Sequence, residues 1–135
     1  MEVYIMAMRV ASIKKDQYDK CVEFGLWGDE RSSLKRWDVE DLLVFKVENK
    51  IKSIAKVTGL AFEDDLLIWD NGFYPNRIPI VILKEFDDEK AVEIYEVFRK
   101  SMLEIYGEKY GWVILNKHPL IDKIEDKLAS YIDCI

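Results

Sequence analysis

Residues 41–60 constrain the fold of this chain most, because they predict a β-hairpin. The apolar run DLLVFKVE leads into a polar turn near Asn49 and Lys50 and then into the alternating segment IKSIAKVTGL. The alternation places four side chains on one face of the second strand: Ile51, Ser53, Ala55 and Val57. The hairpin therefore puts a sheet at the centre of the predicted fold.

The same criteria predict strands and helices on both sides of the hairpin. Strands are expected at 3–10, 66–69, 77–84 and 112–115, and helices at 13–24, 89–106 and 119–131. Ser12 is a candidate cap for the first helix, and Gly107 ends the second, whose apolar residues recur at helical spacing. Pro79 places its strand at a sheet edge or a bulge. Many strands with sparse helices predict an α+β fold with a small, strongly curved mixed sheet.

Length, charge and cysteine content limit the classes of protein that fit. A chain of 135 residues fits one domain, 1–135. Its net charge of -6 excludes strong sequence-independent affinity for a phosphate backbone, so any nucleic-acid contact needs a local basic patch. Cys21 and Cys134 lie far apart, which indicates neither a zinc site nor a disulfide framework. No apolar run reaches the ~20 residues of a membrane span, so we expect a cytoplasmic protein with no membrane partner.

Signatures of enzymes are missing from the sequence. It has no phosphate-binding lysine loop, GxGxxG, HExxH or GxSxG motif. His118, the single histidine, precedes Pro119 at a helix start, where a surface capping role fits better than catalysis. The acidic residues Asp64 and Asp65 and those at 87–89 are interpreted as solvated turns and helix starts. We therefore expect no catalysis, no cofactor and no metal.

Two tryptophans stand at loop edges rather than inside apolar runs. Trp27 lies in FGLWGDE, where Gly25 turns the chain out of the first helix, and Trp69 lies in LLIWDNGFYPNRIPI. Two indoles on opposite walls can sandwich a planar base. The alternative is that both are packing residues, and their spacing alone leaves both interpretations open. Trp37 and Trp112 are interpreted as packing residues.

The order of these features resembles the EVE family and, more distantly, the YTH family, within the PUA-like superfamily. The resemblance spans most of the chain and rests on Gly25-Leu26-Trp27-Gly28, Asp38-Val39-Glu40-Asp41 and Tyr74-Pro75-Asn76-Arg77-Ile78. These families usually have glycine before the aspartate of the second motif, where this chain has Glu40. The resemblance implies a small curved mixed β-barrel flanked by helices.

The resemblance also implies a ligand. YTH proteins hold the methylated adenine of RNA in an aromatic cage, and the matching positions here are Trp27 and Trp69, with Phe73 or Tyr74 as a third wall. The backbone near Gly28 and Asp70 is the expected reader of the polar edge of the base. YTH proteins also use asparagines early in the first helix, and residues 11–16 of this chain contain none. The identity of the base therefore stays open.

EVE-like domains imply a particular setting for such a pocket. They occur alone and fused to McrB-like restriction GTPases in archaea, where they resemble readers of methylated DNA that extrude the base from the duplex. DNA is therefore favoured over RNA, with a fused or associated GTPase or nuclease as a partner. Seven basic residues are expected at the mouth of the pocket as contacts to the nucleic-acid backbone: Arg9, Lys14, Lys15, Arg31, Lys35, Arg36 and Arg77. The alternative is solvated surface, and Arg77 fits equally well as a support for the loop at Asp70.

The leading hypothesis is a non-catalytic, nucleic-acid-binding reader of a modified nucleobase such as 6-methyladenine. A buried methyl group contributes ~0.8 kcal/mol, which favours the methylated base in a dry cage. An RNA-binding protein of the same fold is one alternative. A second is an enzyme on a nucleotide-like small molecule that uses Asp64, Asp65 and Asp70, and a third is a protein-interaction module.

Overall fold

A computed structural model describes residues 7–70, 72–115, 119–120 and 122–131. The strands are β1 (Met8–Ile13), β2 (Leu26–Asp29), β3 (Leu42–Val47), β4 (Lys50–Val57), β5 (Phe62–Glu63) and β6 (Asn76–Glu85). The helices are α1 (Lys15–Phe24), α2 (Asp88–Tyr106), α3 (Gly111–Leu115) and α4 (Asp122–Ala129). Two 3-10 turns lie at Ser32–Arg36 and Gly107–Tyr110. No helix within these ranges is long and apolar enough to cross a bilayer.

The strands form one curled mixed sheet in the order β1-β3-β4-β6-β2, with β5 attached to β6. Only β1 and β3 run parallel among the described pairs. The predicted α+β class with a small curved mixed sheet is confirmed. β6 connects the two parts of the sheet, because its first residues pair with β2 and its later residues pair with β4.

Pro79 lies where β6 changes partner. It is the last residue of β6 opposite β2, across from Leu26, and Ile80 begins the pairing with β4. A proline cannot donate to a ladder, so it fits where one set of pairs ends and the next begins. β6 is therefore an interior strand rather than the edge strand that Pro79 suggested, and a register shift in its pairing with β4 follows between Ile82 and Lys84.

The predicted hairpin is confirmed as β3 and β4, joined at residues 48–49. Its pairing skips Lys52, because Phe45 pairs with Ser53 and Lys46 pairs with Ile51. Because the extra residue interrupts the alternation of side chains, residues before the bulge face the side of the sheet opposite to the one that unbroken alternation would give them. Ile51 therefore packs on the face of the sheet opposite to Ala55. This corrects the expectation that Ile51, Ser53, Ala55 and Val57 share one face.

Both faces of the sheet are buried. On one face lies the helix-side core, which contains Val10, Val44, Ile54, Ile94, Phe98, Met102, Ile124 and Leu128. On the other lies the tryptophan-side core, which contains Tyr18, Cys21, Trp27, Leu34, Trp37, Phe45, Trp69 and Ile78. α2 and α4 cover the first face with the apolar stripe that the sequence predicts.

The helix ends follow local chemistry in most places. The Asp87 carboxylate accepts from the Lys90 N–H at 2.9 Å and so caps α2, as expected for acids at a helix start. α2 ends before Gly107, and Gly25 ends α1 in a left-handed conformation with φ of 64°. Ser12 does not cap α1, because β1 continues through it.

Three local predictions differ from the structure. Residues 26–29, expected as a turn, form β2, while 66–69, expected as a strand, form none. The expected strand at 112–115 is part of α3, and its Trp112 is 49% exposed rather than core. Apolar runs of four residues carry too little periodicity to separate helix, strand and loop. His118, Cys134 and the start of the first predicted strand lie outside the described residues.

The backbone conformation of Glu40 explains why the families that this chain resembles usually have glycine at the position before Asp41. Its φ is 83°, in the left-handed region that favours glycine. The Glu40 N–H donates to the Val57 carbonyl at 2.9 Å, which closes the entry to the hairpin. Asp41 is buried beside it and accepts from the N–H groups of Ala7 and Asp38.

Candidate functional site

Trp27 lies on β2 rather than at the edge of a loop. It pairs with Ile78 of β6, and its side chain is 3% exposed. Its ring contacts Phe45 edge to face, with ring centroids 6.0 Å apart. The strand thus fixes Trp27 firmly inside the tryptophan-side core.

Trp69 lies in the segment between β5 and β6, whose described residues, 64–70 and 72–75, are irregular and are called the Trp69 loop. The indole is 1% exposed and packs directly on Gly28. A Cβ atom added at Gly28 would lie 2.5 Å from Cη2 and 2.6 Å from Cζ3 of Trp69, so only glycine leaves room for the ring. Tyr74 closes the other side of the ring, with centroids 5.6 Å apart.

The two indoles do not face each other across an open gap. Because successive side chains of a strand alternate, the Trp27 side chain points away from the face of β2 that Trp69 covers. Both rings are also shut off from solvent. Trp69, Tyr74 and Gly28 lie in contact with one another, whereas Phe73 is half exposed.

Arg77 holds the Trp69 loop in place. Its guanidinium is 1% exposed and donates to the carbonyl oxygens of Tyr74, at 3.1 Å, and Leu66. The same group lies 3.7 Å from the Asp64 carboxylate and 5.4 Å from the centroid of the Trp69 ring. Arg77 therefore has the loop-supporting role, and in this structure a phosphate cannot reach it.

A cavity of about 470 Å³ opens between the start of α1 and the Trp69 loop. It is lined by Lys14, Asp16, Gln17, Asp19, Lys20 and Asp70. Asp70 is the residue that follows the buried Trp69 in the chain. The volume is in the range of small-molecule sites, ~300–1,000 Å³.

Gln17 is a residue that the sequence interpretation missed. It is a buried polar side chain on the same face of α1 as Cys21, one turn later. A glutamine on the buried stripe of a short helix is the signal that could have identified it, because such a group is buried only with hydrogen-bond partners.

Burial dominates the electrostatics of this core. It raises the pKa of the Cys21 thiol to about 12, although the Trp69 indole N–H, which faces the sulfur, acts in the opposite direction. Burial also raises the pKa of Tyr18, whose hydroxyl donates to Glu85 at 2.7 Å and lies 3.0 Å from Ser53 Oγ. Both groups are thus neutral at pH 7, and the tryptophan-side core is dry.

The seven basic residues expected at the pocket mouth have different positions. Arg9 is largely buried, 2.9 Å from Asp41 and 4.8 Å from the centroid of the packed Trp37 ring. The exposed residues of the set are Lys14, Lys15, Arg31, Lys35 and Arg36, and of these Lys14 lines the cavity while Lys15 pairs with Asp19 at 2.8 Å. Arg9 and Arg77 are thus corrected to structural positions.

The acidic residues do not gather into a metal-binding cluster. No group of three or more histidine, cysteine, aspartate or glutamate side chains in the described part of the chain is placed to hold a metal ion. Asp64 accepts from the backbone N–H of Leu66 and pairs with Arg77, so its position is explained by the loop.

No protein-family model matches the chain, and no curated protein matches it by sequence. Solved structures do match its fold. The Mmi1 YTH domain aligns with a TM-score of 0.65 at 12% identity over 94% of this chain and 95% of that one. The YTH domain of Zygosaccharomyces rouxii MRB1 protein, in complex with N6-methyladenosine RNA, gives 0.61 at 12% over 97% and 91%. A hypothetical protein from Leishmania major gives 0.63 at 11% over 96% of each chain. The chain therefore has a YTH-like fold.

Proposed function

We propose that this protein is a non-catalytic reader of a modified nucleobase, and that the base binds between the Trp69 loop and α1. The observation that carries the proposal is a cavity of about 470 Å³ that is lined by residues of α1 and by Asp70, the residue that follows the buried Trp69 in the chain. The fold adds support, because one structural neighbour is a YTH domain in complex with N6-methyladenosine RNA.

Binding requires the Trp69 loop to move. Both indoles are buried, so a base reaches their faces only after the Trp69 ring leaves Gly28. The described residues of the loop form no strand, and the loop is held by Arg77, by one backbone hydrogen bond from Asp64 to Pro75 and by the buried Trp69 ring. Segments with few regular backbone hydrogen bonds open at the lowest free energy, which makes this loop the moving part. Once it moves, the Trp69 ring is free to stack on a base, with Tyr74 or Phe73 beside it, while Trp27 stays on the opposite face of β2.

The lining of the cavity suits the edge of a base better than a phosphate. Asp16, Asp19 and Asp70 repel phosphate but accept hydrogen bonds from exocyclic amino groups. Gln17 offers both a donor and an acceptor, as recognition of adenine requires. A methylated adenine, which keeps one N–H on its exocyclic nitrogen, fits this set.

Contacts to the nucleic-acid backbone fall to the exposed basic residues. Lys14 and Lys15 lie at the start of α1, and Lys35 and Arg36 lie on the 3-10 turn after β2. The net charge of -6 repels a phosphate backbone, so we expect weak binding. Because the attraction comes from a few basic residues, the affinity should fall further as the salt concentration rises. A preference for DNA, extrusion of the base, membership of the EVE family and a GTPase or nuclease partner stay predictions from the sequence resemblance.

The test is a titration of labelled oligonucleotides, DNA and RNA, each with and without N6-methyladenine, followed by fluorescence anisotropy. We expect about fourfold tighter binding of the methylated strand, equivalent to ~0.8 kcal/mol for the buried methyl group. Trp69→Phe and Asp70→Ala should each remove that preference. Asp70 is exposed, so its replacement leaves the core intact.

The matched control is Trp112→Phe, because Trp112 is half exposed on α3, away from the tryptophan-side core. It should bind like the unsubstituted protein. Equal, weak binding of all four oligonucleotides, unchanged by Trp69→Phe and Asp70→Ala, would exclude the proposal.

A further inference from the structure

A second cavity, of about 540 Å³, lies on the other side of the sheet, between the ends of β1 and β3 and the helical C-terminal part. It is lined by Ser12, Lys46, Tyr95, Glu108, Tyr110, Gly111 and Ile114. It shares no residue with the cavity beside Trp69. Its volume also falls within the ~300–1,000 Å³ range of small-molecule sites.

Lys46 is the unusual residue of this cavity. It follows Leu42 and Val44 on the face of β3 that packs against α2, so it occupies a position where the strand is otherwise apolar. Its ammonium group lies over the ring of Tyr95, 5.4 Å from the centroid. Among the residues that the structure describes, no carboxylate lies within 4.0 Å of it.

Partial burial has a cost for this cation. Desolvation lowers the pKa of Lys46, because the charged form loses water without gaining a counter-ion. A bound anion would supply the missing charge and restore the pKa. The Lys46 amine has a hydroxyl and an aromatic ring as neighbours but no counter-ion, which is the partner that an anionic ligand in the cavity would supply.

Hydroxyl groups surround the amine. Ser12 is the register partner of Lys46 on the neighbouring strand, and its Oγ lies 3.4 Å from Nζ. Tyr95 and Tyr110 lie on α2 and on the following 3-10 turn, and burial raises the pKa of Tyr95, with a smaller contribution from the nearby Tyr110. Serine and tyrosine hydroxyls are hydrogen-bond donors, so they can donate to the same oxygen atoms as the amine.

We propose that this cavity binds a small organic anion through a phosphoryl or carboxylate group held by Lys46, with Ser12 and Tyr110 as further donors. Glu108 lies at the wall, so the anionic group must bind at the Lys46 end, and Glu108 faces the rest of the ligand. Arg99 adds positive charge near Tyr95, whereas Glu96 opposes it.

The experiment is a titration followed by ¹H–¹⁵N NMR, with inorganic phosphate in one series and acetate in another. Sodium chloride at the same ionic strength is the salt control. We expect saturable shifts of the amide signals of Ser12, Lys46 and Gly111 with phosphate or acetate, and no saturation with chloride. Saturation by one anion alone identifies its group as the one recognised.

Substitutions separate this site from general charge effects. Lys46→Met should weaken the interaction about tenfold, the loss expected for a charge-assisted hydrogen bond, and Lys46→Arg should retain most of it. Lys84→Met, on β6, should change nothing. Shifts that never saturate, or that persist in Lys46→Met, would overturn the proposal. Neither result bears on the base reader, whose residues lie elsewhere.

Discussion

The two faces of the sheet are buried equally but closed in different ways. On the helix-side core, α2 and α4 cover the strands with aliphatic and aromatic side chains. On the tryptophan-side core, part of the cover is the Trp69 loop, whose carbonyl groups are bound by the side chain of Arg77. One face is therefore sealed by regular helices and the other by an irregular loop with a buried cation.

The difference shows how one sheet supplies both stability and a candidate site. A helix satisfies its own backbone groups, so it leaves the sheet only when much of the domain unfolds. A loop with few regular backbone hydrogen bonds can open alone, at a lower free energy than global unfolding. The tryptophan-side core is thus the face whose cover must open for the proposed binding of a base.

Truncation in the helix-side core should have the largest effect on stability. Phe98→Ala removes a fully buried ring from α2 and should lower the free energy of unfolding by ~3–5 kcal/mol. Denaturant unfolding measures it. Val92→Ala, at an exposed position of the same helix, is the control and should change stability by under ~0.5 kcal/mol. Similar losses for both variants would show that α2 does not seal this core as described.

Removal of the Arg77 guanidinium should act mainly on the Trp69 loop. Arg77→Met leaves the Leu66 and Tyr74 carbonyls without their donor, and we expect a loss of ~1–3 kcal/mol. Hydrogen exchange should accelerate in residues 66–74 more than in the hairpin. Arg77→Lys keeps the charge but not the forked hydrogen-bonding geometry. It should therefore also lower the stability and accelerate exchange in the loop, but by less than Arg77→Met. Equal acceleration across the chain would contradict local opening.

The pH dependence of stability tests how dry the tryptophan-side core is. The folded state raises the pKa of Cys21 from 9.0 to about 12, so above pH 9 the unfolded chain loses this proton while the folded protein keeps it. The stabilisation is complete below pH 9 and is lost progressively up to about pH 12. Each pH unit costs ~1.4 kcal/mol for one such group.

Unfolding curves at pH 8 and pH 10 measure that slope. Between these two pH values the Cys21 proton accounts for a loss of ~1.4 kcal/mol in total, because its release from the unfolded chain is only half complete at pH 9, and Cys21→Ala and Cys21→Ser should each remove that loss. If neither variant changes the slope, the thiol already contacts water, and the Trp69 loop is open in solution.

Local signals were enough for part of this fold. Repeats of two and of 3.6 residues, with acids before α2 and glycines after α1 and α2, predicted the hairpin and the long helix correctly. These signals lie within one element, so no distant residue was needed to interpret them. The sequence also identified Trp69, Gly28, Tyr74 and Arg77 as residues of interest, although it left the role of Arg77 open.

The tertiary structure alone decided how these residues are arranged. β2 exists because β6 pairs with it. Residues 112–115 are helical where they pack against β1 and α2. The bulge at Lys52 decides which face of the sheet Ile51 packs on. The burial of both indoles depends on contacts between residues about 40 or more positions apart, such as Trp69 on Gly28. Such pairings follow from the packing of the whole sheet, which no local pattern encodes. The sequence by itself therefore identified Trp69, Gly28 and Arg77 but not the cavity residue Gln17, and the tertiary structure determined that the Trp69 ring is buried and that Arg77 binds its loop.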